Sequence, residues 1–96
     1  NHVPAVPFLS LAWPNPFNES SVFTVTLPQT CRVTLTINNT IGHRVCVLKD
    51  EEMLPGVYFL HWDGRNSDGI RVASGLYICS MQALGTIQTR RMMLVS

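Results

Sequence analysis

The sequence predicts an all-β antiparallel sandwich of about seven strands in its 96 residues. Three observations carry that expectation. Apolar residues recur with a period of two, interrupted only at clusters of Pro, Gly, Asn and Asp. No window of about 11 residues sustains the i, i+3, i+4 apolar spacing of an amphipathic helix. The turn signals recur at regular short intervals, and two sheets must then face each other, because either alone leaves its apolar face in water.

Each element follows from this rhythm. Residues 6–12 read as an extra strand, edge-like because of the prolines around it. Residues 21–27 alternate, with Phe23, Val25 and Leu27 on one face and Thr24 and Thr26 on the other. Pro28 and Gln29 end that strand. Residues 31–37 alternate again, with Val33, Leu35 and Ile37 inward and Arg32, Thr34 and Thr36 outward. A connector closing on Gly42 leads to a third strand of this kind at 44–48, then a polar run at 49–52 and a turn at Pro55 and Gly56. Residues 57–62 are a strand that sends Tyr58, Leu60 and Trp62 to the core. Residues 63–69 are dense in turn formers and read as a loop. Residues 76–83, with Tyr77, Cys79 and Met81 sharing a face, and residues 86–95 form a terminal hairpin turning at Gly85.

Composition excludes several classes of function. At 46% hydrophobic and 14% charged residues the chain is too apolar for disorder. Its net charge is +1 and its seven Lys and Arg are scattered, so no concentrated basic face for nucleic acid is expected. No apolar run approaches the ~18 residues that span a bilayer as a helix. The chain begins at Asn1 with no leader-like segment, so the expectation is an excised piece, with any signal peptide lying upstream. Three cysteines cannot all pair with one another. Cys31, Cys46 and Cys79 match no zinc or redox spacing and are expected as small buried apolar side chains, with a Cys31–Cys46 bridge left open.

The chemically suggestive residues have simpler explanations. Asp63, Asn66 and Asp68 carry the hard oxygens a calcium ion takes, but Gly64 and the missing Glu spoil an EF-hand-type spacing. Asx turns account for the same residues, and no metal or other cofactor is expected. His2, His43 and His61 are isolated in sequence. A set of Ser74, His61 and Asp63 fails because neighbouring strand residues point to opposite faces. No glycine-framed nucleophile or paired carboxylates occur, so the chain is not expected to be an enzyme. Asn18 and Asn38 sit in glycan-acceptor triplets, which arise readily by chance.

Three segments, in order, carry a resemblance. The first is Ala12, Trp13, Pro14, Asn15, Pro16, Phe17 and Asn18. The second runs from Gly56 through Trp62, Asp63 and Gly64 to Asp68 and Gly69, then from Val72 through Ser74 and Gly75 to Tyr77. The third is Arg90, Arg91, Met92, Met93, Leu94 and Val95. Together they resemble the C-terminal sorting domains of the bacterial type IX (Por) secretion system. They equally resemble the Ig-like domain of the flagellar hook-capping protein FlgD. The resemblance covers residues 11–96 and implies an immunoglobulin-like sandwich, leaving 1–10 as a lead-in or linker. Arg91 stands where the sorting branch often carries Lys.

Physical chemistry gives these segments a structural sense as well. Pro14 and Pro16 stiffen the entry into the sandwich. Trp62 is the largest core candidate, and Tyr77 is expected to pack on the opposite sheet. Gly64 and Gly69 supply positive φ in a tight loop, and Gly75 permits a bend.

The resemblance implies a non-catalytic C-terminal module of a larger exported protein. It would act in secretion sorting and surface attachment, placing it at the cell surface or outside, by way of the periplasm. Its partners would be outer-membrane secretion machinery or neighbouring subunits, with a passenger domain upstream. The terminal hairpin, and Arg90 to Val95 above all, would be recognised, by strand addition to an edge. A hook-cap-like assembly module is the second expectation. An accessory ligand-binding module ranks last, since it needs a row of exposed aromatics and alternation buries Phe23, Tyr58, Trp62 and Tyr77.

Overall fold

The computed structural model describes residues 6–95; residues 1–5 of the expected lead-in, His2 among them, and Ser96 lie outside the described residues. The described residues form seven strands and no helix: β1 (Phe8–Leu9), β2 (Ser21–Leu27), β3 (Cys31–Asn39), β4 (Arg44–Met53), β5 (Gly56–Trp62), β6 (Gly75–Ala83) and β7 (Thr86–Leu94). They build a three-stranded sheet in the order β1-β2-β5 and a four-stranded sheet in the order β4-β3-β6-β7. Every strand pair is antiparallel.

The period-two pattern becomes the core. Phe23 and Val25 from β2 face Val33, Leu35 and Ile37 from β3, Cys79 and Met81 from β6, and Met92 and Leu94 from β7, all fully buried. Each large aliphatic or aromatic side chain so enclosed contributes about 1.5–3 kcal/mol relative to exposure. Trp62 lies among them at the end of β5. Its ring meets Phe17 at 5.7 Å and Tyr77 at 5.0 Å, both edge-on, so a three-ring row joins the two sheets.

Two expectations need correction. The strand expected over 6–12 is reduced to Phe8–Leu9, followed by an isolated bridge from Trp13 to Val22. Between them the Ser10 amide still donates to the Thr24 carbonyl, but the Thr24 amide donates to the Ser10 hydroxyl, so a side chain replaces one of the two ladder bonds. The strand expected over 44–48 continues through the polar run to Met53. Lys49, Asp50, Glu51 and Glu52 pair with Leu35, Thr34, Val33 and Arg32, and Asp50 meets Arg32 at 3.0 Å. At a sheet edge such charges face water and guard the strand instead of ending it. All three cysteines are free and buried, as expected, and the Cys31–Cys46 bridge that the sequence left open does not form. Cys46 lies opposite Ile37 and Cys31 opposite Met53. Six residues of strand therefore separate them, roughly 20 Å, far beyond disulfide reach.

The terminal hairpin turns at Leu84 and Gly85, both at positive φ (51° and 74°), as in the two-residue turns that suit strand twist. It places β7 at the outer edge of the larger sheet.

Candidate functional site

The segment before β2 folds back onto the end of β7. Trp13–Pro14 and Asn15–Pro16 are both cis peptides. The Asn15 side chain clamps the strand backbone: its amide nitrogen donates to the Arg91 carbonyl at 3.1 Å, and its oxygen accepts the Met93 amide at 2.8 Å. Beyond it the Phe17 amide donates to the Met93 carbonyl at 2.9 Å, and the Val95 amide donates to the Phe17 carbonyl at 2.8 Å. Phe17 and Leu94 thus form a short parallel bridge that seals the last turn of the β7 edge. The Ser21 hydroxyl fixes the segment from behind by donating to the Pro14 carbonyl.

The loop after β5 approaches the same strand end. The Trp62 indole N–H donates to the Arg65 carbonyl at 2.9 Å. The Asn66 side-chain oxygen accepts both the Asp68 and the Ile70 amides at 3.0 Å, an Asx turn. Asp63 faces Arg65 at 3.6 Å. Asn66 and Asp63 therefore hold the loop itself. Among the described residues no group of three or more His, Cys, Asp or Glu converges as a metal site. Gly64, at φ +77°, packs so closely on the strand that a Cβ there would sit 3.3 Å from both Leu94 methyls. Gly69 also takes positive φ, at 79°. Tyr77 closes the arrangement by donating its hydroxyl to the Ala73 carbonyl at 2.6 Å. That bond is of the tyrosine-corner kind found in Ig-like sandwiches.

The six terminal residues expected to be recognised fall into three environments. Met92 and Leu94 are fully buried and belong to the core. Arg91, Met93 and Val95 point outward and are exposed. Arg90 is half-buried, stacks over the Phe8 ring at 5.7 Å and donates to the Thr89 carbonyl. A cleft of about 450 Å³ opens beside it between Phe8 and Leu11 on one side and Thr89, Arg90 and Arg91 on the other.

Two features were missed in the sequence. Gln88 closes the seam between the sheets: its nitrogen donates to the Pro7 carbonyl at 2.6 Å and its oxygen accepts the Leu9 amide at 2.9 Å. Nothing local to Gln88 signals partners some 80 positions away. The second is an exposed aromatic set on the smaller sheet: Phe8, Trp13 and Phe59 are 54%, 76% and 72% exposed. The even-spaced core residues Tyr58, Leu60 and Trp62 drew attention, while Val57 and Phe59 between them are equally apolar. The expectation that alternation buries Phe23, Trp62 and Tyr77 holds, and Tyr58 is half-buried.

The cysteines are chemically quiet. Burial pushes the Cys79 thiol up to about 12, with Cys46 adding to the effect and Arg90 opposing it. Burial and the Asp63 carboxylate raise Cys46 as well.

Sandwich topology, tyrosine corner and buttressed terminal strand define an immunoglobulin-like β-sandwich module. The model of the FlgD Ig-like domain family matches residues 15–86, about three quarters of the chain. The chain belongs to that family. Among curated proteins nothing matches. Among solved structures it resembles the dimeric latent PorU of Porphyromonas gingivalis at 18% identity and TM-score 0.64, over 99% of this chain and 10% of that one. It also resembles PorZ, an essential surface component of the type IX secretion system of the same organism, at 22% identity and TM-score 0.54, over 94% of this chain and 11% of that one. The DNA glycosylase AlkC of Pseudomonas fluorescens, bound to DNA with an abasic-site analogue, matches at 16% identity and TM-score 0.55, over 98% of this chain and 32% of that one. At these identities the likeness is one of fold. The chain spans about a tenth of the length of PorU and PorZ.

Proposed function

We propose that this chain is a non-catalytic module that marks the polypeptide carrying it for export through an outer-membrane secretion machinery and for attachment at the cell surface. The observation that carries the reading is the buttressing of β7. Asn15, Phe17 and Gly64 hold the strand end in one conformation and leave Arg91, Met93 and Val95 as an outward row. A rigid, exposed terminal row suits recognition by a partner, because little ordering entropy is lost on binding. The fold likeness to PorU and PorZ, the latter a type IX component by its description, supports the choice of machinery.

Deleting the terminal residues cannot test this reading, since Met92 and Leu94 are core. The informative variant reverses one outward charge. A reporter fused ahead of this chain, in a host with a type IX system, is expected to reach the surface or medium. With Arg91→Glu it is expected to remain in the periplasm while the domain keeps its melting temperature. A folded wild-type fusion that stays periplasmic overturns the reading.

A further inference from the structure

A two-sheet sandwich has four edge strands, each a template for further pairing unless something blocks it. Three are blocked here. The β1 edge is two residues long, and the Gln88 amide occupies its Pro7 carbonyl and Leu9 amide. The β7 edge is sealed at its end by Asn15 and Phe17. The β4 edge carries Lys49, Asp50, Glu51 and Glu52, its pairing with β3 is broken by two register shifts, and the Ser67 amide caps its Val45 carbonyl.

The β5 edge has none of these guards. Its seven residues, Gly56–Trp62, hold no proline and no Asp, Glu, Lys or Arg, and their register with β2 is unbroken from end to end. Indeed no strand of the smaller sheet carries such a charge, whereas β3, β4 and β7 of the larger sheet all do.

The hydrogen-bond phase shows which groups are open. Val22 exchanges both of its backbone bonds with Trp13, and Thr24 accepts from Ser10, so the even residues of β2 bond toward β1. Its odd residues therefore bond toward β5, through Trp62, Leu60, Tyr58 and Gly56. That leaves the N–H and C=O groups of Val57, Phe59 and His61 directed away from the sheet. No backbone or side-chain partner meets them among the described residues. Val57 and Phe59 are 56% and 72% exposed, and His61 is exposed as well.

We infer that β5 is a self-association edge and that its occupant is β5 of a second copy, antiparallel about a two-fold axis at Phe59. Three open residues with Phe59 at the centre are symmetric under that axis. Phe59 meets its own copy and exchanges two backbone bonds with it. Val57 exchanges two with the copy's His61, and His61 two with the copy's Val57. An isologous contact sets each charge near its own copy, so an uncharged strand is the one that can meet itself without repulsion. The two three-stranded sheets become one of six strands, with the Phe59 rings side by side on its outer face. With only three residues of each copy exchanging backbone bonds, the association is expected to be weak and reversible. This inference goes beyond the export reading and does not depend on it.

Sedimentation equilibrium of the whole chain from about 10 µM to about 1 mM reads the association. The mean mass is expected to rise from 10.7 kDa toward twice that value. Phe59→Lys, at an exposed position, is expected to keep the fold and hold the chain monomeric. The register is read by mild oxidation of single cysteine variants, the native cysteines being buried. Phe59→Cys is expected to cross-link to its own copy, because paired residues there lie about 5.5 Å apart between Cα atoms, within disulfide range. Val57→Cys, facing the copy's His61, is expected not to cross-link. A mass fixed at one chain throughout, a dimer unaffected by Phe59→Lys, or equal cross-linking of the two cysteine variants overturns the inference.

Discussion

Replacing Asn15 by Ala isolates the clamp on the terminal strand. The substitution removes two hydrogen bonds, one donated to the Arg91 carbonyl at 3.1 Å and one accepted from the Met93 amide at 2.8 Å. Each is worth a net ~0.5–1.5 kcal/mol, and the site is exposed enough for water to replace part of it, so the loss is about 1–2 kcal/mol. For a domain of this size that lowers Tm by about 4–15 °C. Thermal unfolding followed by circular dichroism gives the global number, and amide hydrogen exchange gives its location. The Met93 and Val95 amides, which bond to Asn15 and Phe17, are expected to exchange faster through local opening. Those of Val33 and Leu35, in the central strand β3, are expected to follow global stability alone. Asn15→Asp keeps the acceptor but turns a carboxylate toward the Arg91 carbonyl, so it should lose at least as much. An Asn15→Ala variant with unchanged Tm and unchanged Met93 protection would refute the claim that this side chain holds the strand end.

Four further outcomes follow from single positions. Gly64→Ala forces a Cβ into left-handed backbone and against the Leu94 methyls, and is expected to cost about 2–3 kcal/mol in denaturant unfolding. Leu84→Asn, at φ 51° in the β6–β7 turn, should gain about 0.5–1 kcal/mol, read as a raised Tm, because Asn tolerates that conformation. Tyr77→Phe deletes the hydroxyl bond to Ala73 and should cost about 1 kcal/mol without changing the near-ultraviolet signature of a packed core. Cys79 is raised to about 12 in the fold from the ordinary 9.0. Above pH 9 the unfolded chain therefore releases a proton that the native state keeps. Its contribution is intact below pH 9 and declines from there to about pH 12, by on the order of 1 kcal/mol per unit. Urea midpoints measured across that range, for the wild type and Cys79→Ala, test the slope.

Strand positions were legible wherever one face is buried and the other wet. Phe23, Val25 and Leu27, and likewise Val33, Leu35 and Ile37, are enclosed as alternation requires. The reading failed where that condition fails. Residues 49–52 look like a loop because all four are polar, yet at an edge Asp50 and Glu52 face water and even Lys49 and Glu51, opposite buried Leu35 and Val33, reach it past the rim. Residues 6–12 look like one strand because they are apolar, and Pro7 and Leu9 are buried, but the alternation breaks after Leu9, with Leu11 exposed and Ala12 buried. The clamps were illegible for a different reason. Asn15 and Gln88 find partners 76 to 81 positions away, and no local pattern encodes such a distance.

The three segments that carried the resemblance meet in one place. Phe17 from the segment before β2, Trp62 from β5 and Tyr77 from β6 form a single row of rings across the junction between sheets. Gly64, from the loop after Trp62, gives Leu94 room to pack, and Asn15 grips the strand on either side of Met92. The shared pattern thus specifies how the terminal strand is locked, and only indirectly what reads it. That separates Arg90 from Arg91, which the sequence presents as a pair. Arg90 lies over Phe8 in the seam, where its loss acts on packing as well as on charge. Arg91 holds only its backbone to the structure, its carbonyl accepting from Asn15, while its side chain stands exposed beside Met93 and Val95. A partner that reads the terminal strand of the folded domain has that outward row to contact, and the buried row of Met92 and Leu94 serves to present it.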